Sequence, residues 1–246
     1  MTVTVAEIWR YPIKGIGAEP LASVALSENR PLPLDRAWAV LEKGGEASDG
    51  WRACRNFLRG AKGPGLMAVT AQVQDQTITL SHPDLDELTI QLDEKSADAL
   101  FGWVRQIYPD TRQPPVALVK SPPEGMADSP FASVSVMNLS SLRAVADKVG
   151  QPMDVRRFRG NIWLDGLAPW EEFDLVGKTL QVGDVTLETV EPITRCRATE
   201  GNPATGKRDA SVLQALQEGW GHSEFGITAT VKSGGSIAQG DTVTIA

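Results

Sequence analysis

The sequence predicts a mainly β protein with a few helices, of the β-barrel-rich α+β class, and three observations lead to this prediction. Short segments with alternating apolar residues fill the first 92 residues. The chain contains 23 glycines and 16 prolines, which indicate many turns. Only a few segments show the helical spacing of apolar residues. The 246 residues suffice for one large β-rich domain or for two small ones.

The N-terminal part is predicted to consist of strands. Residues 2–9 alternate, with Val3, Val5 and Ile8 expected on buried faces. Further strand-like segments, separated by clusters of Gly, Pro, Asp and Asn, are residues 36–42, 65–73, 76–82 and 87–92. Short strands at this spacing are typical of a small barrel or sandwich. We therefore expect residues 1–92 to form an N-terminal β-barrel domain.

Three segments have the apolar spacing of amphipathic helices. Residues 94–108 place four apolar side chains at i, i+3, i+4 and i+7, which gives one apolar stripe. Residues 139–149 form the clearest helix, because Asn138 is a suitable N-cap and Gly150 a suitable end. A short third helix is predicted near residues 210–218.

The second half of the chain is predicted to be mixed and mainly antiparallel. Its expected strands are residues 161–165, 179–182, 185–190, 227–231 and 242–245. Residues 120–130 contain three prolines and few apolar side chains, which favours a linker or mobile loop. We expect residues 93–246 to form the second domain, a mixed β-barrel, with the boundary left open between residues 92 and 120.

The composition excludes several classes of function. A formal net charge of −7 argues against a protein that coats nucleic acid or anionic membrane. The sequence has no run of 18 apolar residues, and its first residues resemble a strand rather than a signal peptide. We therefore expect a cytoplasmic protein with no nucleic-acid or membrane partner. Two cysteines and two histidines, widely spaced, do not encode a zinc site of the usual spacing.

Several segments concentrate basic, polar and glycine residues where a plain core needs none. They are YPIKG at 11–15, LDRAW at 34–38, DSPF at 128–131, RRFRGN at 156–161, TRCR at 194–197 and GNPATGKR at 201–208. In this order, and followed by HSEFG and a final Gly-Asp turn, they resemble the MOSC family of molybdenum-cofactor proteins. The resemblance implies an N-terminal accessory β-barrel followed by the catalytic MOSC domain.

The resemblance also implies a cofactor site. Cys196 is expected to bind the metal of a molybdenum cofactor (molybdopterin) and to be the catalytic ligand, which suits a soft, sulfur-coordinated metal. The cofactor-binding candidates are Lys14, Arg36, Ser129, Arg159, Asn161 and Thr194. Arg159 and Asn161 are two apart on a predicted strand, so a guanidinium and an amide would lie on one face for the phosphate of the pterin.

The two cysteines receive different interpretations. A cysteine binds metal only as a thiolate, which nearby cations favour. Arg195 and Arg197 flank Cys196, but they would lie on the opposite face of an extended strand and help only if the chain bends there. Cys54 is interpreted as a small buried residue, although nearby arginines leave a reactive thiol open. Arg157, like Arg156 before it, is interpreted as a solvated charge.

Two functions remain open. The first is a molybdenum oxidoreductase that reduces N-hydroxylated compounds with electrons from a separate donor, a reduced flavoprotein or a ferredoxin-type protein. The second is a carrier that holds molybdenum cofactor, or a persulfide on Cys196, without steady turnover. A β-rich module without a cofactor is the least favoured alternative. The sequence departs from the family pattern at Gly15, where serine is common, and at Asn202, where aspartate is usual.

Overall fold

The computed structural model describes residues 2–46 and 48–246. The strands are β1 (Thr4–Arg10), β2 (Ile13–Lys14), β3 (Glu19–Leu21), β4 (Ser23–Leu26), β5 (Trp38–Glu42), β6 (Thr70–Gln74), β7 (Thr77–His82), β8 (Leu85–Gln91), β9 (Pro115–Lys120), β10 (Val134–Asn138), β11 (Ile162–Asp165), β12 (Thr179–Val182), β13 (Val185–Thr194), β14 (Glu224–Ser233), β15 (Gly235–Ala238) and β16 (Val243–Ile245). The α-helices are α1 (Ala97–Val104), α2 (Leu139–Val149) and α3 (Val212–Trp220).

An eight-stranded sheet joins both ends of the chain, in the order β16-β12-β13-β14-β10-β11-β1-β3. Its pairs are antiparallel except for β10 and β11. Alternate residues of the strands face one apolar core that includes Val5, Ile8, Ile162, Leu187 and Ile227. Each such side chain contributes roughly 1.5–3 kcal/mol on burial. The first strand is therefore fixed in the same sheet as the last.

A second core lies within the N-terminal half. It is enclosed by the sheet β2-β5-β9, the meander β6-β7-β8 and helix α1. Ile13, Val40 and Leu80 contribute from the strands, and Leu100 and Val104 from the helix. Strand β2 follows Tyr11 and Pro12 and pairs in parallel with β5, with Ile13 opposite Trp38. The YPIKG and LDRAW segments therefore lie side by side. This arrangement brings two of the basic segments together.

Helix α2 agrees with the sequence prediction at both ends. The side chain of Asn138 accepts a hydrogen bond from the backbone N–H of Ser140 at 2.9 Å. Gly150 ends the helix with a left-handed φ of 82°. Helix α3 packs against α2, and both cover a third cluster of buried residues that contains Trp163 and Phe225.

The predicted fold class is confirmed, whereas several element boundaries are wrong. Residues 64–68, expected to begin a strand, form a 3-10 helix, because Gly63 and Gly65 pack tightly against Tyr108 and Ile107. The first helix is shorter than predicted and ends at Val104. The sequence analysis missed the strands β2, β3, β4, β9, β10 and β15. Most of these are short or pair with strands that are remote in the chain.

The division into domains at residue 92 stays a prediction. The strands β1 and β3 from the N-terminal part form one edge of the eight-stranded sheet, and β4 pairs with β15. β9, beyond the predicted boundary, pairs with β5. Among the helices of the described residues, none is long and apolar enough to cross a membrane.

Candidate functional site

Two arginines from opposite halves of the chain meet on the ring of Tyr11. The guanidinium carbons of Arg36 and Arg159 lie 5.2 and 4.2 Å from the ring centroid. Both arginines have a left-handed backbone, with φ of 49° and 50°. Such a conformation is uncommon for a residue with a Cβ and persists only where neighbours enforce it. The aromatic face and the surrounding carbonyl oxygens provide this support.

The two guanidinium groups have different electrostatic surroundings. Arg36 forms an ion pair with Asp35, whose charge and hydrogen bond outweigh burial and raise the pKa of Arg36. Burial, together with repulsion from Arg36, lowers the pKa of Arg159 to about 10. Arg159 donates only to the carbonyl oxygens of Gly17 at 3.3 Å and Ile13 at 3.4 Å. It remains charged at neutral pH and lacks a carboxylate partner among the described residues.

Lys14 is buried and pairs with the loop that precedes β10. Its ammonium donates to the carbonyl oxygen of Met126 and to a carboxylate oxygen of Asp128, each at 2.7 Å. Burial alone would raise the pKa of Asp128, but Lys14, with Arg36 and Arg195, holds it below its ordinary value. The predicted linker at residues 120–130 is thus tied to the N-terminal half through an ion pair.

The prediction that Arg159 and Asn161 lie on one strand is wrong. Arg159 ends a 3-10 helix with left-handed backbone, and β11 begins only at Ile162. The carboxamide oxygen of Asn161 accepts from the N–H and hydroxyl of Ser135, and its nitrogen donates to the carbonyl oxygen of Trp9. Asn161 therefore connects β1, β10 and β11, and most of its hydrogen-bonding capacity is used within the protein.

Cys196 stands where β13 ends and a 3-10 helix of residues 197–200 begins. The chain bends at Cys196, as a contact between the thiol and its flanking arginines requires. The side chains of Arg195 and Arg197 nevertheless bind other groups. Arg195 donates to the carbonyl oxygens of Phe158 and Phe225, and burial lowers its pKa to about 10. Arg197 is exposed and pairs with Glu200. Arg197 is therefore directed away from the thiol, whereas the charge of a Cys196 thiolate and that of buried Arg195 attract each other.

Arg59 is a second cation that acts on Cys196, and it was not predicted from the sequence. Burial, with contributions from Asp128 and Cys54, raises the pKa of Cys196, while the backbone N–H of Ala198 and the charge of Arg59 oppose this. Nη1 of Arg59 also donates to Sγ of Cys54 at 3.0 Å. Cys54, interpreted as a small buried residue, is half-buried instead, and it lines the same pocket as Cys196. The arginines close to Cys54 in the sequence were the signal that could have placed this segment at the site.

Most of the predicted residues converge on two adjoining cavities. The first, here called the cysteine pocket, is lined by Lys14, Arg36, Cys54, Arg59, Arg159 and Cys196, with Thr194 at its edge. The second, called the serine recess, is lined by Ser129, Ser133, Ser135, Asn161, Arg36 and Arg159. The two share Arg36, Asp128, Arg159 and Arg195 as a common wall. Ser129 and Asn161 are thus separated from Cys196 by this wall of cations.

Arg157 and Thr194 also line the cysteine pocket. Arg157, interpreted as solvated, is only 3% exposed and lines the cysteine pocket, because Asp209 and two carbonyl oxygens hold it there. Thr194 is exposed, and its hydroxyl lies 3.4 Å from a carboxylate oxygen of Glu224. The cysteine pocket therefore contains more cations than the sequence motifs suggested.

The segment with Asn202 in place of aspartate is a structural turn. The side-chain oxygen of Asn202 accepts from the N–H of Ala204 at 2.8 Å, and its backbone pairs with Lys207. An aspartate could accept the first of these bonds equally well. The segment packs on Gly65 through Gly206, and its residues are not among those that line the cysteine pocket.

The fold and the cavity define a class of protein: a β-rich chain in which two halves surround a basic pocket that contains a cysteine. The chain belongs to the MOSC family. The family model of the MOSC domain matches residues 124–244, and that of the MOSC N-terminal beta barrel domain matches residues 2–106. The resemblance inferred from the motifs is thereby confirmed.

Curated relatives are remote in sequence but cover much of the chain. Mitochondrial amidoxime reducing component 2 of Bos taurus is 23% identical over 242 residues, which cover 84% of this chain and 68% of that protein. Mitochondrial amidoxime-reducing component 1 of Mus musculus has the same identity and coverage. Molybdenum cofactor sulfurase of Caenorhabditis elegans is 34% identical over 95 residues, 37% of this chain and 12% of that protein.

One solved structure shares the overall fold. The YUAD protein from Bacillus subtilis superposes with a TM-score of 0.50 and 11% sequence identity, covering 100% of this chain and 96% of that one. At this identity the likeness concerns the fold alone.

Proposed function

We propose that the protein binds molybdenum cofactor in the cysteine pocket, with Cys196 as the metal ligand. The observation that carries this proposal is the meeting of Cys196, from the C-terminal half, with Lys14 and Arg36, from the N-terminal half, in one cavity. A soft metal favours a thiolate ligand, and a phosphate favours lysine and arginine donors. A single cavity offers both kinds of group.

The charges of the pocket fit an anionic group. Its cations are Lys14, Arg36, Arg59, Arg157, Arg159 and Arg195, whereas Asp128 is its acidic residue. This excess occurs in a chain with a formal net charge of −7, so it is local. The Nε atoms of Arg59 and Arg157 are buried and have no hydrogen-bond partner within residues 2–46 and 48–246. Unpaired buried donors of this kind are costly unless a ligand satisfies them.

The residues would have separate roles in holding the cofactor. Arg36 and Arg159 are already fixed on Tyr11, so they offer donors at little cost in side-chain entropy. Lys14 must exchange Asp128 for the incoming phosphate. Thr194 would add a polar contact in the cysteine pocket, and Ser129 and Asn161 would add theirs in the serine recess across the shared wall. Bound there, the cofactor would supply the redox chemistry for reducing N-hydroxylated compounds.

The reductase activity rests on the amidoxime-reducing relatives, and it requires electrons from a separate donor protein. A reduced flavoprotein or ferredoxin-type protein is the donor class that we propose. The protein's own contribution is to orient the cofactor, to hold Cys196 and to keep one face of the pocket open to a small substrate.

The decisive experiment counts molybdenum and pterin per chain after purification from a host that makes the cofactor. We expect near-stoichiometric molybdenum in the wild type, a large loss in Cys196→Ser and retention in the matched thiol control Cys54→Ser. Wild-type protein without molybdenum, or equal retention in Cys196→Ser, would refute the ligand assignment. Loaded protein is then assayed with a chemically reduced donor and a hydroxylamine or amidoxime.

One observation favours a carrier as the second candidate. Although the walls of the cysteine pocket partly desolvate its thiol, Cys196 keeps exposed surface, as a thiol that passes on a sulfur atom or a cofactor must. Sulfurase relatives match part of the chain. A carrier would release its cofactor or persulfide to an acceptor protein and would show no steady turnover of a hydroxylamine. Persulfide analysis of Cys196 by mass spectrometry distinguishes the two functions.

A further inference from the structure

The cations of the cysteine pocket differ in how completely the protein engages them. Lys14 pairs with Asp128, Arg36 with Asp35 and Arg157 with Asp209. Arg159 and Arg195 lie against aromatic rings and donate to backbone carbonyl oxygens. Each of these side chains is therefore fixed and partly compensated by groups of the protein itself.

Arg59 is the exception. Its contact within hydrogen-bond distance is Sγ of Cys54 at 3.0 Å, and a thiol is a weak acceptor. Its Nε is buried, and no described residue forms a hydrogen bond with it. Among the described residues, no carboxylate lies within ion-pair distance of Arg59. A guanidinium that faces a cavity with so little compensation is a ready site for an anion.

The backbone around Arg59 explains how it reaches Cys196. The carbonyl oxygen of Arg59 accepts from the N–H groups of Lys62 and Gly63 at 3.0 Å, which closes a tight turn. On the other side, a Cβ at Gly15 would lie 2.7 Å from the carbonyl oxygen of Leu58 and 3.0 Å from Cα of Arg59. The absence of a side chain at residue 15 thus allows the segment with Arg59 to lie directly against the backbone of Gly15.

We infer that Arg59 binds an anionic group beside Cys196, and that the site takes a substrate with a carboxylate or other oxyanion next to its reacting centre. This inference rests on the proposed function, and it names the substrate class of that function. Gly15 supports this placement, because any side chain at residue 15 would displace the backbone of Leu58 and Arg59.

The phosphate of the cofactor is the other anion that matches Arg59. The lining of the two cavities favours a separate anion, because Arg59 belongs to the cysteine pocket and not to the wall shared with the serine recess. The shared wall already provides Arg36, Arg159 and Arg195 for a phosphate. Arg59 is instead on the side of Cys54 and Cys196, where a substrate would approach the metal.

The test measures the local potential at Cys196 directly, in full-length protein from a host that cannot make the cofactor. Cys196 is alkylated with iodoacetate, an anion, and with iodoacetamide, its neutral analogue, in a Cys54→Ser background. The rate with iodoacetate is divided by the rate with iodoacetamide, and this ratio is divided by the same ratio for a neutral free thiol. Differences in thiolate fraction then cancel, because both reagents react with the same thiolate. We expect iodoacetate to be favoured by about fivefold, the effect of one nearby positive charge in a water-like dielectric.

Arg59→Gln, added to Cys54→Ser, is expected to lower the ratio severalfold, while the remaining cations of the pocket keep it above that of the free thiol. Arg197→Gln is the matched control, because Arg197 adjoins Cys196 in sequence but is exposed and paired with Glu200. It should leave the ratio unchanged. An unchanged ratio in Arg59→Gln, or an equal fall in Arg197→Gln, would overturn the inference. Circular dichroism confirms that each variant is folded.

A second measurement separates the two sources of the anion. Molybdenum per chain is compared in wild type and Arg59→Gln from a cofactor-making host, and we expect equal values. A loss of molybdenum in Arg59→Gln would assign Arg59 to the cofactor's phosphate and overturn the inference. If the wild type itself lacked molybdenum, the proposed function would fail, whereas the alkylation ratio would still report on the anion site.

Discussion

Nη2 of Arg36 donates to the backbone carbonyl oxygen of Arg159 at 2.9 Å, across a separation of 123 residues in the chain. This bond joins the loop before β5 to the turn before β11. Both guanidinium groups lie on the ring of Tyr11, so one aromatic side chain positions cations from both halves. Side chains held in this way need little reorganisation when an anion binds. The wall shared by the two cavities is therefore formed before any ligand arrives.

Tyr11 should contribute to stability mainly through its aromatic face. Tyr11→Phe removes only the hydroxyl, which donates to the carbonyl oxygen of Gly160 at 3.3 Å, and should cost about 1 kcal/mol. Tyr11→Leu also removes the surface on which both guanidinium groups rest, and should cost about 2–4 kcal/mol. Urea denaturation of the two variants gives the comparison. Equal losses would show that the ring face contributes nothing beyond its volume.

The sequence predicted what depends on local signals and missed what depends on remote ones. The cap of α2 was identified because Asn138 and Gly150 carry their roles within the helix itself. Arg159 was misplaced on a strand, since its left-handed backbone is supported by Tyr11, which is remote in the chain. Arg59 was missed for a similar reason: its place beside Cys196 depends on Gly15 and on a turn at residues 59–63.

The close approach at Gly15 gives a prediction with an internal control. Gly15→Ala and Gly44→Ala both place a Cβ on a residue with positive φ, 77° and 85° respectively. At Gly44 the new Cβ meets open space, so only backbone strain of about 1 kcal/mol is added. At Gly15 it also meets the backbone of Leu58, and we expect a cost about 2 kcal/mol larger.

The measurement for these glycine variants is the free energy of unfolding in urea, together with the iodoacetate-to-iodoacetamide ratio at Cys196. Gly15→Ala should lower the ratio because Arg59 is displaced, whereas Gly44→Ala should not. Similar unfolding energies for the two variants would mean that the segment of Leu58 and Arg59 adjusts without cost.

Asp128 should compete with anions for Lys14. Because the carboxylate lies 2.7 Å from the ammonium, a bound phosphate must displace it. Asp128→Asn removes the negative charge and should strengthen the binding of inorganic phosphate roughly fivefold, as measured by calorimetry. Asp154→Asn is the matched control, since Asp154 pairs with Arg156 and does not line the pocket. Weaker binding in Asp128→Asn would indicate that Asp128 itself supports the ligand.

Glu172 should make stability depend on pH. It is fully buried, and burial raises its pKa even though Ser141 and Asn138 donate hydrogen bonds to one carboxylate oxygen. Since the folded-state pKa exceeds the unfolded value, the protonated form stabilises the fold below the unfolded pKa, and this contribution is lost as pH rises through the folded pKa. The free energy of unfolding of Glu172→Gln, minus that of wild type, should therefore increase between pH 4 and pH 8. Glu218→Gln changes an exposed carboxylate on α3 and should show no such trend. A difference for Glu172→Gln that stays constant across this range would show that the buried carboxyl group ionises as easily as an exposed one.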